Sequence, residues 1–149
     1  MGAKSFFSTN AFWIAAVLVL VLDQLTKYVV QTKLSIGQSV PVLQGIFHLT
    51  YVQNTGVAFG MFGGMNWVFA LVAVLAIIAI LYYRRTFCLQ TTTAICAGLI
   101  LGGALGNLAD RLALGFVVDF IDFIIWPKFN IADSALTIGV IGLLWWTRK

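Results

Sequence analysis

Four long apolar runs, separated by more polar stretches, dominate the pattern of the chain. They cover residues 11–30, 67–83, 93–112 and 131–146. Each approaches the roughly 20 residues that a helix needs to cross a lipid bilayer. The pattern therefore predicts a membrane protein with an all-α core of four transmembrane helices, connected by long links at residues 31–66 and 113–130.

The first run shares one feature with a cleaved signal peptide, because Lys4 precedes its apolar stretch. No small-x-small cleavage site follows, and the run continues through Asp23 and Lys27 to about Val30. A retained spanning helix is therefore the preferred interpretation.

The composition supports a membrane protein. The chain has 149 residues, of which 61% are hydrophobic and 9% are charged, whereas about a quarter of the residues of a soluble domain are charged. One integral membrane domain over residues 1–149 is predicted. The net charge of +4 arises largely from basic residues beside the apolar runs, so nucleic acid is not an expected partner. With His48 as the single histidine and no CxxC pair, the sequence predicts neither a zinc site nor a redox site.

Basic residues also predict the orientation in the membrane, because lysine and arginine accumulate in cytoplasmic segments. Five of them flank the predicted spans: Lys4, Arg84, Arg85, Arg148 and Lys149. Both termini are therefore predicted to be cytoplasmic, and both long links to face outward. The stretch "GIFHLTYVQ" at residues 45–53 alternates in the manner of short strands, so the first outer link is expected to form a small β-sheet. The second is expected to be a short loop or helix on the outer face.

The third run contains a glycine at every fourth position, namely Gly98, Gly102 and Gly106. This spacing places the glycines on one helix face, where another helix can approach closely. A packing role is the preferred interpretation.

The predicted topology places all five acidic residues toward the outer side of the membrane. A charge at the centre of a spanning helix costs about 2.5–3.5 kcal/mol, so acids in such positions are usually paired or functional. Asp23 and Lys27 are four residues apart, a spacing that predicts an ion pair on one helix face. Asp122 is interpreted as marking the water interface.

In "GGALGNLADRL", an amide, a carboxylate and a guanidinium share one face of the third helix, at Asn107, Asp110 and Arg111. The guanidinium has five donors in a fixed fork. It could bind a substrate backbone or brace Asp110, and the sequence leaves both possibilities open.

Asp119 and Asp133 are embedded among apolar neighbours and are too far apart to share a helix face. If the second outer link folds back, they form a carboxylate pair that shares one proton, because two buried like charges do not ionise independently. Aspartic proteases use such a pair as acid and base. Asn130, three residues before Asp133, could orient the pair.

Two other functions are compatible with paired carboxylates at a membrane surface. They could hold Mg²⁺ in a lipid phosphotransferase, or form the proton site of a small proton-coupled transporter. The spacing of the acids alone does not decide between these and a peptidase.

Five ordered segments resemble the signature blocks of lipoprotein signal peptidase, also called signal peptidase II. They are "DQLTK" from Asp23, "NTGVAFG" from Asn54, "GGALGNLADR" from Gly102, "VVDF" from Val117 and "FNIADSA" from Phe129. They follow the order of that family and are spread over most of the chain.

The resemblance implies a membrane aspartic endopeptidase without metal or cofactor, with Asp119 and Asp133 as its catalytic dyad. Its substrate would be a bacterial prolipoprotein whose cysteine already carries diacylglycerol, cleaved on the N-terminal side of that cysteine. Membrane lipids would be its other partners, and it would act as a monomer at the outer face of the cytoplasmic membrane. The resemblance also implies two further groups: the substrate-binding residues Asn54, Asn107, Arg111 and Asn130, and the supporting residues Asp23, Lys27, Asp110 and Gly56.

Overall fold

The fold combines five helices with a three-stranded antiparallel sheet, in a computed structural model that describes residues 3–56 and 66–146. The elements in chain order are α1 (Ala3–Lys33), β1 (Ser39–Leu43), β2 (Phe47–Asn54), α2 (Asn66–Tyr82), α3 (Arg84–Phe87), α4 (Thr91–Ala113), β3 (Val117–Asp122) and α5 (Ile131–Trp146). The predicted mainly helical architecture with a small sheet is confirmed. Arg148, Lys149 and the last four residues of "NTGVAFG" lie outside the described residues.

All four predicted apolar runs are helical. By length and hydropathy, Phe7–Lys33 and Thr91–Ala113 are able to cross a membrane, whereas Asn66–Tyr82 and Ile131–Trp146 are shorter apolar helices. Four membrane crossings therefore remain a prediction. Helix α1 exposes a row of large apolar side chains, including Ile14, Leu18, Leu22 and Leu25. A contiguous apolar surface of this kind is typical of contact with lipid.

Helix α4 is the centre of the helical bundle, and its glycines allow α1 to approach closely. A Cβ added at Gly98 would collide with the carbonyl oxygen of Phe12, and one at Gly102 with that of Ala16. The predicted packing role of these two glycines is therefore confirmed. Gly103, on another face of α4, packs in the same way against the carbonyl oxygen of Ala132 in α5.

The sheet lies against one end of the bundle and has the order β1-β2-β3. Its apolar side packs on the end of α1 through Val30, Tyr51, Val118 and Phe120. The predicted small sheet in the first outer link is confirmed: β2 forms largely within the alternating stretch, and β1 forms just before it.

The third strand differs from the prediction, which assigned residues 113–130 to a loop or short helix. The segment "VVDFID" is rich in β-branched and aromatic residues, which favour strands, and it pairs with β2 so that Asp119 lies opposite Val52. Asp119 is therefore held in a sheet. This constrains its side chain far more than a surface loop would.

We expect Gly102→Val to separate α1 from α4, because its side chain would enter space held by the Ala16 carbonyl and the Val19 side chain. Overpacking of this kind costs about 1–3 kcal/mol of unfolding free energy. Thermal unfolding in detergent measures the loss. Leu112→Ala is the control, since Leu112 lies on α4 with 74% of its surface exposed. Equal unfolding temperatures for both variants would contradict the packing role.

Candidate active site

Asp119 and Asp133 line the same cleft although they come from different elements. Asp119 is in the middle of β3, and Asp133 is in the first turn of α5. Asn130 lies between them: its amide nitrogen donates to Oδ1 of Asp119 at 2.8 Å, and its amide oxygen accepts from the backbone nitrogen of Asp133 at 2.9 Å. One asparagine side chain therefore connects the two predicted catalytic residues, as the sequence suggested.

The position of Asp133 follows from the way α5 begins. Asn130 is the N-cap, and its backbone nitrogen donates to Oδ2 of Asp133 at 3.3 Å. With the bond from the Asp133 nitrogen to the Asn130 side chain, this forms a reciprocal capping box. The segment "NIAD" has the spacing of such a box, a local signal that the sequence analysis did not use.

The two remaining carboxylate oxygens each accept a hydrogen bond from another asparagine. Asn54, at the end of β2, donates to Oδ2 of Asp119 at 2.8 Å. Asn107, on α4, donates to Oδ1 of Asp133 at 2.8 Å. Each of the four oxygens of the pair thus has a fixed donor, which restricts both side chains to one orientation.

Burial and the nearby charge of Asp133 together raise the pKa of Asp119 to about 7. The hydrogen bonds from Asn54 and Asn130 and the charge of Lys27 oppose this rise without cancelling it. Asp119 therefore carries its proton at slightly acidic pH, where an ordinary aspartate is ionised. A carboxylic acid and a carboxylate side by side are a competent acid and base.

Behind the pair lies a buried ion cluster. The ammonium of Lys27 is 2.8 Å from Oδ2 of Asp23 and 3.0 Å from Oδ2 of Asp110. The predicted pair of Asp23 and Lys27 is confirmed, and Asp110 extends it to three residues. Gln24 adds a hydrogen bond to Oδ1 of Asp110 at 2.9 Å.

Arg111 points to the cleft rather than to this cluster. It lines the cleft, donates to the backbone oxygen of Asn107 at 3.2 Å, and lies 5.8 Å from the ring centre of Phe69. Asp110 is braced by Lys27 and Gln24. Of the two possibilities left open by the sequence, the geometry favours a guanidinium available to a ligand.

The cleft has a volume of about 520 Å³, and its walls come largely from residues that the sequence analysis did not single out. The segment that follows β3 supplies Trp126, Pro127, Lys128 and Phe129, and the start of α5 supplies Ser134, Thr137 and Ile138. Nothing in their spacing marks them, because they become neighbours only when the chain after β3 folds back to α5. The lining is mainly apolar, and the two carboxylates are its acidic members.

The residues predicted to bind substrate fall into two groups. Asn54 and Arg111 line the cleft, as does Gly56, whose backbone nitrogen donates to the Asn54 side chain at 3.0 Å. Asn107 and Asn130 are buried behind the carboxylates and bond to each other at 3.1 Å. Contact of these two with substrate remains a prediction.

Asp122 is separate from this arrangement, and the interpretation that it marks the water interface was wrong, because its side chain is buried among protein partners. It is buried at the end of β3, where it accepts hydrogen bonds from Thr50 at 2.7 Å and from the backbone nitrogen of Ile124 at 2.9 Å, and pairs with Lys128 at 3.3 Å. Burial acts to raise its pKa, but these partners outweigh burial and the net pKa is lowered. It attaches the segment after β3 to the hairpin.

Comparisons with known proteins identify the family of this chain. Residues 15–148 match the family described as Signal peptidase (SPase) II. Proteins named lipoprotein signal peptidase are similar over most of their length: one from Halothermothrix orenii is 44% identical over 92% of this chain and 97% of its own, and one from Moorella thermoacetica is 49% identical over 90% of each.

The fold also matches solved structures. One described as a bacterial membrane enzyme superposes with a TM-score of 0.85 at 37% identity, covering 91% of this chain and 85% of the other. A second of the same description gives 0.79 at 38% identity, covering 91% and 90%. On its sequence and its fold, this chain belongs to the signal peptidase II family.

Proposed function

We propose that this protein removes signal peptides from diacylglyceryl-modified prolipoproteins, cleaving on the N-terminal side of the lipidated cysteine. The observation that carries the proposal is the carboxylate pair: Asp119 and Asp133 share the bridging Asn130 and line one cleft. Family membership supports the substrate class, since the similar proteins are named lipoprotein signal peptidases.

In this proposal Asp119 holds the shared proton and Asp133 is ionised. The raised pKa of Asp119 supports its part. Asp133 lies at the N-terminus of α5, where the backbone N–H groups and the helix dipole favour a negative charge. The helix N-terminus thus favours the ionised form at Asp133, which is the state that a general base requires.

The chemistry then follows in two steps. Asp133 takes a proton from a water molecule, whose oxygen attacks the scissile carbonyl carbon, while Asp119 donates its proton to the carbonyl oxygen. In the second step the tetrahedral intermediate collapses, and the cysteine amine leaves with a proton from Asp133 as the carbonyl proton returns to Asp119. Both carboxyl groups regain their starting states without a cofactor.

The proposed topology places the cleft at the outer membrane surface, with four spans and both termini in the cytoplasm. Arg84 supports it, because it lies 5.5 Å from the ring centre of Trp13 near the start of α1, whereas Asp23, near the cleft, is in the second half of that helix. The positive-inside rule assigns the end with Arg84 and Arg85 to the cytoplasm. The cleft then faces the side where prolipoproteins are processed.

Anchoring would provide selectivity. The acyl chains of the lipidated cysteine remain in the bilayer and the signal helix lies beside the spans, so binding energy from parts remote from the reaction positions the scissile bond. Arg111 and Asn54 are the cleft residues proposed to bind the substrate backbone. One chain supplies both carboxylates and all their asparagine partners, which supports action as a monomer.

We expect the purified protein to cleave a diacylglyceryl-modified prolipoprotein peptide, and to leave the same peptide without its lipid essentially uncleaved. Asp119→Asn and Asp133→Asn should each lower kcat at least about 10³-fold, because each removes an acid–base group. Gel separation of the products measures the cleavage.

Asp122→Asn is the matched control, since it makes the same change on the same strand outside the cleft. Its folded fraction should retain kcat within about threefold of the wild type. Near-normal turnover by Asp119→Asn or Asp133→Asn would contradict the proposed dyad. Equal cleavage of both peptides would remove the proposed role of the lipid.

The dyad should also determine the pH dependence of kcat. With the pKa of Asp119 raised to about 7, the shared proton is present below that pH and is lost above it. We therefore expect kcat to fall about tenfold per pH unit well above pH 7, as the pair titrates as a unit. Steady-state rates between pH 5 and 10, with the folded fraction checked at each pH, measure it. A kcat that stays constant to pH 9.5 is incompatible with this assignment.

A chelator separates the proposal from the Mg²⁺-dependent phosphotransferase considered above. The dyad mechanism needs no divalent cation, so excess EDTA should leave cleavage within about twofold of its untreated rate. Loss of cleavage in EDTA and its recovery on adding Mg²⁺ would favour the metal mechanism instead. A zinc metalloprotease assayed in parallel confirms that the chelator is effective.

A further inference from the structure

We propose that Lys27 is a positioning residue that sets the separation and orientation of Asp119 and Asp133. Its contacts within α1 and with α4 connect the two elements that carry these acids, β3 and α5. The proposal rests on the proposed function. Lys27 is 1% exposed and lies behind the cleft rather than in its lining. It would therefore act on the reaction without touching substrate.

Each of the three N–H donors of the Lys27 ammonium has a different acceptor. Its nitrogen lies 2.8 Å from Asp23, 3.0 Å from Asp110 and 3.0 Å from the amide oxygen of Asn107. An ammonium has three hydrogens to donate, so these contacts saturate it. Burying this charge is tolerable only because it is fully paired and hydrogen-bonded.

Each carboxylate of the cluster holds the backbone next to one member of the dyad. Asp110 accepts from the nitrogen of Val118 at 3.0 Å, one residue before Asp119. Asp23 accepts from the nitrogen of Ala132 at 2.9 Å, one residue before Asp133. Both N–H groups belong to buried residues and require a partner. Because Lys27 holds the two carboxylates together, it also fixes the distance between the two backbone segments.

The third contact controls side-chain orientation. Lys27 donates to the oxygen of the Asn107 amide, and Asn130 donates to the same oxygen at 3.1 Å. With two donors on its oxygen, the amide cannot reverse without placing N–H against N–H. Its nitrogen is therefore directed to Oδ1 of Asp133, which it meets at 2.8 Å.

A double variant tests this role better than the single substitution. Lys27→Met removes the ammonium but leaves two buried carboxylates facing each other, which endangers folding. The double variant Asp23→Asn/Lys27→Met avoids this problem, because it removes one positive and one negative charge and keeps an amide oxygen for the Ala132 nitrogen. Thr26→Val is the matched control, since the Thr26 hydroxyl donates to carbonyl oxygens of its own helix, those of Leu22 and Asp23.

We expect the double variant to unfold cooperatively and to cleave the lipidated peptide with a kcat about 100-fold or more below that of the wild type, the scale of a misplacement near 1 Å. Its KM should stay within about threefold, because the residues that line the cleft are unchanged. Thr26→Val should match the wild type in both parameters. Steady-state kinetics of purified protein in lipid vesicles, normalised to the folded fraction, measure kcat and KM separately.

Three results would overturn the role of Lys27: a double variant with kcat within fivefold of the wild type, one whose loss lies in KM alone, and one that no longer unfolds cooperatively. The last would mean that the cluster maintains the fold as a whole. Failure of the proposed function is distinct, because the wild type itself would then not cleave the lipidated peptide.

Discussion

A carboxylate removed from water costs several kcal/mol unless charges and hydrogen bonds replace its hydration. This constraint governs the end of the molecule that carries the sheet, where Asp23, Asp110, Asp119 and Asp122 are all buried. The chain meets it in two ways. Asp23 and Asp110 are neutralised in large part by an ammonium, whereas Asp119 receives only amides, together with the repulsion of a second carboxylate. The difference separates acids that stabilise the fold from an acid that can exchange a proton.

Much of the helical architecture could be predicted because its signals are local. Apolar length marked the four main helices, and the four-residue glycine spacing marked the face on which α1 packs. The ion pair of Asp23 and Lys27 could be predicted equally well, since a helix brings residues four apart together. The contact of Asn130 with Asp133 could be predicted for the same reason, because Asn130 lies three residues before Asp133. In each case the residues that give the signal are close together in the sequence, although the glycines of α4 pack against a distant helix.

The remainder depended on contacts between distant segments. Strand β3 exists because β2 provides a partner edge, and β2 is separated from β3 in the chain by the helices α2, α3 and α4. The bonds of Asn54 to Asp119 and of Asn107 to Asp133 span 65 and 26 residues. Family resemblance identified these asparagines as important but assigned them to substrate. Only the fold reveals that their amides are directed to the carboxylates.

The order of synthesis has a consequence for the contacts that Asn130 makes with Asp119 and Asp133. Synthesis proceeds from the N-terminus, so α1, the hairpin and α4 are complete before the chain reaches Asn130 and Asp133. Until α5 begins, Asp119 has neither its bridging asparagine nor its partner acid. Under the proposed mechanism, a growing or truncated chain without α5 would have no hydrolytic centre, and proteolytic competence would arise only when α5 is added.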